Sequence, residues 1–341
     1  MPEIIGVEVT TVADDEVVLH YVDDGKSIPK SFVELPSDSD IEIGSLRIRT
    51  LLRPPGELLC KFATVNDLHL GELTAGLIEG ISEIKGMSSS NEEMPYTKLM
   101  SKQAVKEISQ INPAVVLAKG DLTSSASDSE FDEFLDLYKT EFQDRLYFTM
   151  GNHDAKLDAS FSCAPVQCID ISGLRILLID TSIKERYNGQ ISNANLDAIS
   201  DLSLQSKTPV LIFGHHNIWN PSSRVRPESY FGVNPTDSEK FVTLIADIDN
   251  IKGYFAGHTH RNRVRRFAST DDKPYVEVAA LKDFPGSWAE YRVYEGGVLQ
   301  IHRRLSSEAC LNWSDRCRNL YGGRYAQYSF GEIDDRCFRV F

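Results

Sequence analysis

Five short apolar runs in this chain each lead into a cluster of residues that can hold a metal ion. Asp67-Leu68-His69 follows Phe62–Val65, Gly120-Asp121 follows Ala114–Ala118, and Gly151-Asn152-His153-Asp154 follows Leu146–Met150. Gly214-His215-His216 follows Val210–Phe213, and Gly257-His258-Thr259-His260 follows Tyr254–Ala256. Six of the eight histidines fall in these clusters, so chance placement is a poor explanation. Apolar runs of this length, separated by amphipathic stretches, predict a buried sheet covered by helices. Loops past the carboxyl ends of such strands are where α/β proteins gather their ligand sites. The pattern therefore predicts an α/β fold that brings all five clusters to one place.

Singly, the motifs say little. Asp-x-His and Gly-Asp occur often as ordinary polar residues, and Gly-His-His fits a strand end with one buried histidine. Their ordered combination carries the argument. Asp67 and His69 alternate, as do His258 and His260, so an extended segment would direct each pair to one side. Glycine before four of the clusters lets the backbone turn sharply and come close to a metal. Carboxylate, amide and imidazole ligands suit manganese, iron or zinc. No cysteine joins them, which weakens a purely structural zinc reading. Two divalent ions would bring four positive charges; Asp67, Asp121 and a bridging hydroxide would remove three. The remainder suits an anionic phosphate ester, which two metals about 3.5–4 Å apart could clamp.

Charge narrows the partners. The formal net charge is -14, which repels nucleic acid and anionic lipid. The one basic patch, Arg261 to Arg266, is short for a duplex-binding track. No apolar run reaches membrane-spanning length. The start, Met1-Pro2-Glu3-Ile4-Ile5, has no basic region before an apolar core, so no secretory leader is expected and the reading is cytoplasmic. The six cysteines form no Cys-x-x-Cys pair, and reduced thiols are expected. Cys163 with Cys168, and Cys310 with Cys317, are near enough in sequence to pair in an oxidising compartment.

The 341 residues divide by pattern into three parts. Residues 1–59 read as a small β-rich unit, with a turn at Asp23-Asp24-Gly25 and strands around Val17–Leu19 and Ile41–Ile48. Residues 60–305 carry the clusters. Helices are expected through Phe131, Phe134 and Tyr138, capped by Asp128 or Ser129; after Ser192; and from Lys240 to Ile248. Residues 306–341 form an extension with cysteines and aromatics. Its aromatics are expected to pack on the core or across a dimer, which leaves a homo-oligomer open. The segment 217–236 holds Trp219, Arg224, Arg226, Tyr230 and Phe231, and reads as a lid in which Trp219 or Tyr230 stacks on a substrate base.

The ordered motifs resemble the calcineurin-like metallophosphoesterase superfamily, over about Cys60 to Arg304. The resemblance implies a four-layer α/β/β/α sandwich. It also implies that Asp67, His69 and His260 hold one metal, that Asn152, His215 and His258 hold a second, and that Asp121 bridges them. A metal-bridging hydroxide would attack phosphorus in line. His153 would protonate the leaving oxygen or stabilise the phosphoryl charge, with Asp154 orienting it; His216 has no assigned ligand role. The stretch Gly120-Asp121-Leu122-Thr123, with Ser129 to Leu135, is similar to class III cyclic-nucleotide phosphodiesterases and their glycerophosphodiesterase relatives. Purple acid phosphatases place a tyrosine three residues after the bridging aspartate; here Ser124 stands there. Many relatives continue with prolines after the paired histidines, where this chain reads Asn217-Ile218-Trp219-Asn220. The expected activity is hydrolysis of a small phosphodiester. Phosphomonoesterase is the nearest alternative, followed by a nuclease and a metal-free scaffold.

Overall fold

The parallel apolar runs become the centres of two sheets, and the rest of the chain covers them. The computed structural model describes residues 6–23, 26–77, 84–90, 93–227 and 229–341. The N-terminal strands are β1 (Gly6–Val12), β2 (Val17–Asp23) and β3 (Lys26–Phe32), joined as an antiparallel meander, and the hairpin β4 (Asp40–Ile43) and β5 (Leu46–Arg49). The expected turn at Asp24-Gly25 lies outside the described residues.

The first six-stranded sheet uses β6 (Leu58–Val65), β7 (Val116–Lys119), β8 (Leu146–Thr149), β15 (Ser287–Tyr294), β16 (Gly297–Arg304) and β17 (Phe338–Arg339). Its order is β17-β16-β15-β6-β7-β8, and β6, β7 and β8 run parallel. The second uses β9 (Val166–Ile171), β10 (Leu174–Ile179), β11 (Val210–Phe213), β12 (Ile251–Ala256), β13 (Arg263–Arg266) and β14 (Pro274–Glu277). Its order is β13-β14-β12-β11-β10-β9, with β10, β11, β12 and β14 parallel.

Side-chain alternation shows how the sheets stack. Phe62, Leu117, Leu211, Phe213 and Phe255 point between the sheets and share one core. Their neighbours Ala63, Val116 and Ala118 face the other way, against helix Tyr96–Gln110. That helix buries Tyr96, Met100, Ala104 and Ile108, a four-residue repeat that lays one stripe on the sheet. Across the molecule, Val210, Ile212, Tyr254 and Ala256 meet helices Asn193–Leu204 and Pro235–Asp247. The layers are helix, sheet, sheet, helix, as the family resemblance implied.

Local signals held with adjustments. Ser192 caps its helix by accepting from the Asn195 amide. The helix through Phe131 begins earlier than expected: Ser127, not Asp128 or Ser129, accepts the Glu130 amide. The third expected helix starts at Pro235, whose fixed φ suits a first turn, with Asn234 as cap. The N-terminal unit packs on the main sheet through Ala13 against Tyr294, Leu299 and Ile301. The aromatic tail also packs on the core: Cys310, Trp313, Cys317, Leu320 and Tyr325 join the cluster under helix Tyr96–Gln110. All six cysteines are free thiols. Among the described residues, no helix is long and apolar enough to cross a membrane.

Candidate metal centre

The five clusters sit just past the carboxyl ends of β6, β7, β8, β11 and β12, where the two sheets meet. Backbone bonds lock the loops together: the amides of Leu68 and His69 both donate to Asp121 O, and Gly257 N donates to His215 O. Two bonds tie one sheet to the other at this point. Lys119 Nζ donates to Ala256 O at 2.9 Å, and the His258 amide reaches Asp67 Oδ2 at 3.1 Å.

The backbone here is unusual. Asp67, His69, Asp121, His258 and His260 all have positive φ, from 45° to 67°. Such a left-handed conformation costs a non-glycine residue on the order of 1 kcal/mol or more and clusters at functional sites. It also corrects the expectation of extended Asp67-x-His69 and His258-x-His260 segments. Each pair is held by two left-handed residues around a single intervening one, rather than by strand alternation. The preceding glycines serve two purposes. Gly120 has φ +83°, while a Cβ on Gly151 would lie 2.1 Å from Asp121 Oδ1. At Gly151 it is close approach, not a sharp turn, that requires glycine.

The side chains converge around Asp121. Its Oδ2 lies 3.3 Å from His69 Nε2 and also 3.3 Å from His215 Nε2. Its Oδ1 accepts the His153 amide at 2.9 Å. On one side, Asp67, His69, Asp121 and His260 bring one donor atom each within 4.8 Å of one another. On the other, His215, His216 and His258 do the same. Asn152 joins this second group, its Oδ1 3.3 Å from His215 Nε2.

Outer partners set which ring nitrogen each histidine presents. His215 Nδ1 bonds Lys119 O at 2.8 Å, so Nε2 faces the centre. His258 Nε2 bonds Phe231 O at 2.9 Å, which leaves Nδ1 inward. His260 Nδ1 lies 3.5 Å from Asp283 Oδ2 and its Nε2 lies 3.4 Å from Asp67 Oδ1. Asn66 Nδ2 donates to Asp67 Oδ2 at 2.6 Å and to the carbonyls of Val278 and Ala279, fixing that carboxylate.

Burial raises the cost of every charge in the cluster. It pushes His69 down to about 4 and His258 down to about 3, so both are neutral ligands near pH 7. Burial also opposes charge on His215 and His260. There the ionised Asp121 and Asp67 prevail and raise them to about 9 and about 10. The two carboxylates stay ionised well below their usual range despite burial, because the imidazoles surround them. The centre is thus a negative nest that protons or metal ions can neutralise. The buried ring nitrogens of His69 have no hydrogen-bond partner among the described residues. A buried imidazole without a partner is costly unless something binds it, so the donor set fits metal ions.

Two expected neighbours are arranged otherwise. Asp154 does not reach the His153 ring. It turns inward and accepts from the amides of Leu122, Thr123 and Gly151 and from the Thr123 hydroxyl. The partner of His153 Nδ1 is the Ser124 carbonyl, at 2.9 Å. Adjacent residues in this tight turn diverge, so the carboxylate holds the loop while the imidazole stays half-exposed beside His69, with ring centroids 4.4 Å apart. His216 is wholly buried and bonds Thr181 through Nδ1. The expected lid is also different. Trp219 is only 5% exposed, so its ring is not free to stack on a substrate, and the Tyr230 hydroxyl accepts from Asn217 Nδ2. Arg261 and Arg265 of the basic patch are both engaged with Glu277.

Sequence reasoning passed over Asn66 and Asp283, and took Ser124 only as the place of a missing tyrosine. Asn66 is adjacent to a motif and was legible as its neighbour. Ser124 acts through its backbone, and Asp283 lies far along the chain with no motif around it.

Comparison with known proteins agrees with this geometry. Residues 60–262 match the family model described as calcineurin-like phosphoesterase. The chain is 24% identical over 226 residues to the 3',5'-cyclic adenosine monophosphate phosphodiesterase CpdA of Haemophilus influenzae, covering 61% of this chain and 81% of that protein. In fold it is similar to a dimetal phosphatase from Danio rerio, with a TM-score of 0.55, 13% identity, and coverage of 73% of this chain and 97% of that one. It is likewise similar to a purple acid phosphatase from yellow lupin seeds, with a TM-score of 0.51, 12% identity, and coverage of 87% and 58%.

Proposed function

Since this chain belongs to the calcineurin-like phosphoesterase family and is thereby a metal-dependent phosphoester hydrolase, we propose that it cleaves a small phosphodiester of the cyclic-nucleotide or glycerophosphodiester type. The observation that carries a two-metal reading is the position of Asp121 Oδ2, equidistant from His69 and His215 at 3.3 Å. A carboxylate oxygen between two histidines of separate groups is placed to be shared. Asp67, His69 and His260 would hold one ion, Asn152, His215 and His258 the other, and Asp121 both. Manganese, iron and zinc all suit this donor set. When bound, such ions supply positive charge for the phosphoryl oxygens and a hydroxide nucleophile near neutral pH.

The chain's own residues do the rest. The Ser124 carbonyl keeps the proton on His153 Nδ1, so Nε2 faces outward to exchange a proton with the leaving oxygen. Asp154 ties the loop that carries Asn152 and His153 to the Asp121 loop by accepting the amides of Gly151, Leu122 and Thr123. Phe231 O, Lys119 O and Asp283 hold the rings of His258, His215 and His260 in register. The diester preference draws on the cyclic-nucleotide phosphodiesterase among the relatives. We read the chain in three parts, with the centre in 60–305 and accessory segments in 1–59 and 306–341.

A substrate panel tests this. Bis-p-nitrophenyl phosphate and cyclic nucleotides should be hydrolysed with manganese, faster than p-nitrophenyl phosphate and single-stranded DNA, and chelator should abolish it. Activity confined to monoesters would sink the diester assignment. No hydrolysis after metal reconstitution would favour a scaffold.

A further inference from the structure

We infer that the C-terminal segment 321–328 is the wall that receives the organic group of the substrate, and that this group is an aromatic ring. The inference rests on the phosphoester reading above and goes on to specify the ligand.

A cavity of about 440 Å³ lies against the metal-ligand cluster. His258, Thr259 and His260 line one side of it, and Tyr321, Tyr325 and Tyr328 another. The family match ends at residue 262, so these tyrosines come from outside the shared core. Two of the rings are pinned. Tyr325 donates to Asp283 Oδ1 at 2.8 Å, and Tyr328 donates to Thr259 O at 2.9 Å. The Arg261 guanidinium sits 5.2 Å from the Tyr328 ring. Tyr321 stands edge-on to Tyr325, with centroids 5.6 Å apart, and its hydroxyl makes no hydrogen bond among the described residues.

Packing accounts for Tyr325, which is 5% exposed, but not for its neighbours. Tyr321 is 36% exposed and Tyr328 44%. Exposed aromatic rings preset beside a reactive centre offer stacking faces at low entropic cost. The charges choose among occupants. Such rings could also cage a quaternary ammonium. However, Arg324 lines the same cavity and makes no ion pair among the described residues, while Lys282 there is already paired with Glu72. The one carboxylate there among the described residues, Asp283, already faces His260 and Tyr325. A cationic headgroup would meet repulsion, whereas a flat ring with an electron-rich edge would not.

The test is calorimetric binding of three hydrolysis-resistant probes to the whole manganese-loaded chain: phenylphosphonate, methylphosphonate and the phosphonate analogue of phosphocholine. Phenylphosphonate should bind about tenfold more tightly than methylphosphonate, in the range of one aromatic stacking contact. Tyr321→Ala should bring that ratio towards one, because methylphosphonate has no ring to lose, and Tyr321→Trp should keep or raise it. Equal affinity of phenylphosphonate and methylphosphonate, or an unchanged ratio in Tyr321→Ala, would overturn the inference while leaving the phosphoester reading intact. Tighter binding of the phosphocholine analogue than of phenylphosphonate would overturn it in favour of a cationic group. Failure of both phenylphosphonate and methylphosphonate to bind would overturn the proposed small-phosphodiester reading and this inference with it.

Discussion

The Nδ1 atom of His153 lies 2.9 Å from the carbonyl oxygen of Ser124. A carbonyl can only accept, so this contact fixes the tautomer and leaves Nε2 free. His153 also anchors nothing with its ring at the centre of the cluster; only its amide touches Asp121. Rate and metal binding should therefore separate. His153→Ala is expected to keep its metal and lose about 10²–10⁴ in kcat, the range of general acid–base catalysis. Asp121→Ala is expected to lose metal, since both donor groups meet at that carboxylate. Metal content by elemental analysis alongside kcat decides it. Equal metal loss in both variants would refute the separate roles.

Trp219 behaves as core rather than lid. Its ring is buried, its amide donates to Ser238 Oγ at 2.9 Å, and the Arg226 guanidinium covers it at 5.6 Å. Trp219→Ala should cost about 3–5 kcal/mol of stability, as large-to-small core changes do. Michaelis constants should stay within about twofold. Denaturant unfolding and steady-state kinetics on one preparation check both. An increased Michaelis constant with unchanged stability would restore the lid.

Much of the centre was legible because its chemistry is local in sequence. Ligand types followed each strand end, and the carboxyl-end rule placed them together before any coordinates. The same rule could not supply the backbone conformation: left-handed Asp67 and His69 look identical in sequence to an extended pair. Asp154 was misassigned for a related reason. Adjacency to His153 suggested contact, but three amide donors compete for the carboxylate, and their total outweighs one imidazole. Asp283, Tyr325 and Tyr328 were illegible because nothing in their spacing marks them; only the packing of the tail brings them to the site. The tyrosines of the tail were read as packing on the core or across a dimer; Tyr325 packs on the core, while Tyr321 and Tyr328 are exposed in the single chain.

Acid should loosen the junction between the N-terminal strands and the main sheet. His20 and His302 are both buried there, and His20 Nε2 and both His302 nitrogens lack partners among the described residues. Burial first, and then Arg304, push His20 down to about 3; burial and Arg336 push His302 down as well. The unfolded chain binds these protons near pH 6.5 and the folded chain does not. Their contribution is therefore complete above about pH 6.5 and is lost as pH falls towards 3. For His20 alone the loss between pH 6.5 and 5 is about 2 kcal/mol. Melting temperatures at pH 7, 6 and 5 should fall less steeply in His20→Gln and His302→Gln than in the parent chain. Metal ligands titrate in all three proteins, so the difference in slope isolates the two histidines. Identical slopes would contradict the assignment.

Trp313 ties the C-terminal segment to the loop that carries Asp283. Its ring stacks on Tyr96 with centroids 4.2 Å apart, and its Nε1 donates to the Lys282 carbonyl at 2.8 Å. Lys282 in turn pairs with Glu72, and the next residue, Asp283, faces His260. One buried indole thus supports both the core and the partner of a metal ligand. Trp313→Ala removes the stack and the hydrogen bond together and should cost about 3–5 kcal/mol. Trp313→Phe keeps most of the stack and loses the donor, leaving a buried carbonyl short of one partner, and should cost nearer 1–3 kcal/mol. Metal affinity discriminates this tie from simple packing. If the carbonyl bond positions the loop, Trp313→Phe should weaken metal binding measurably while the fold remains intact by circular dichroism. If Trp313 acts only as core, the Phe variant should lose stability and bind metal as the parent does.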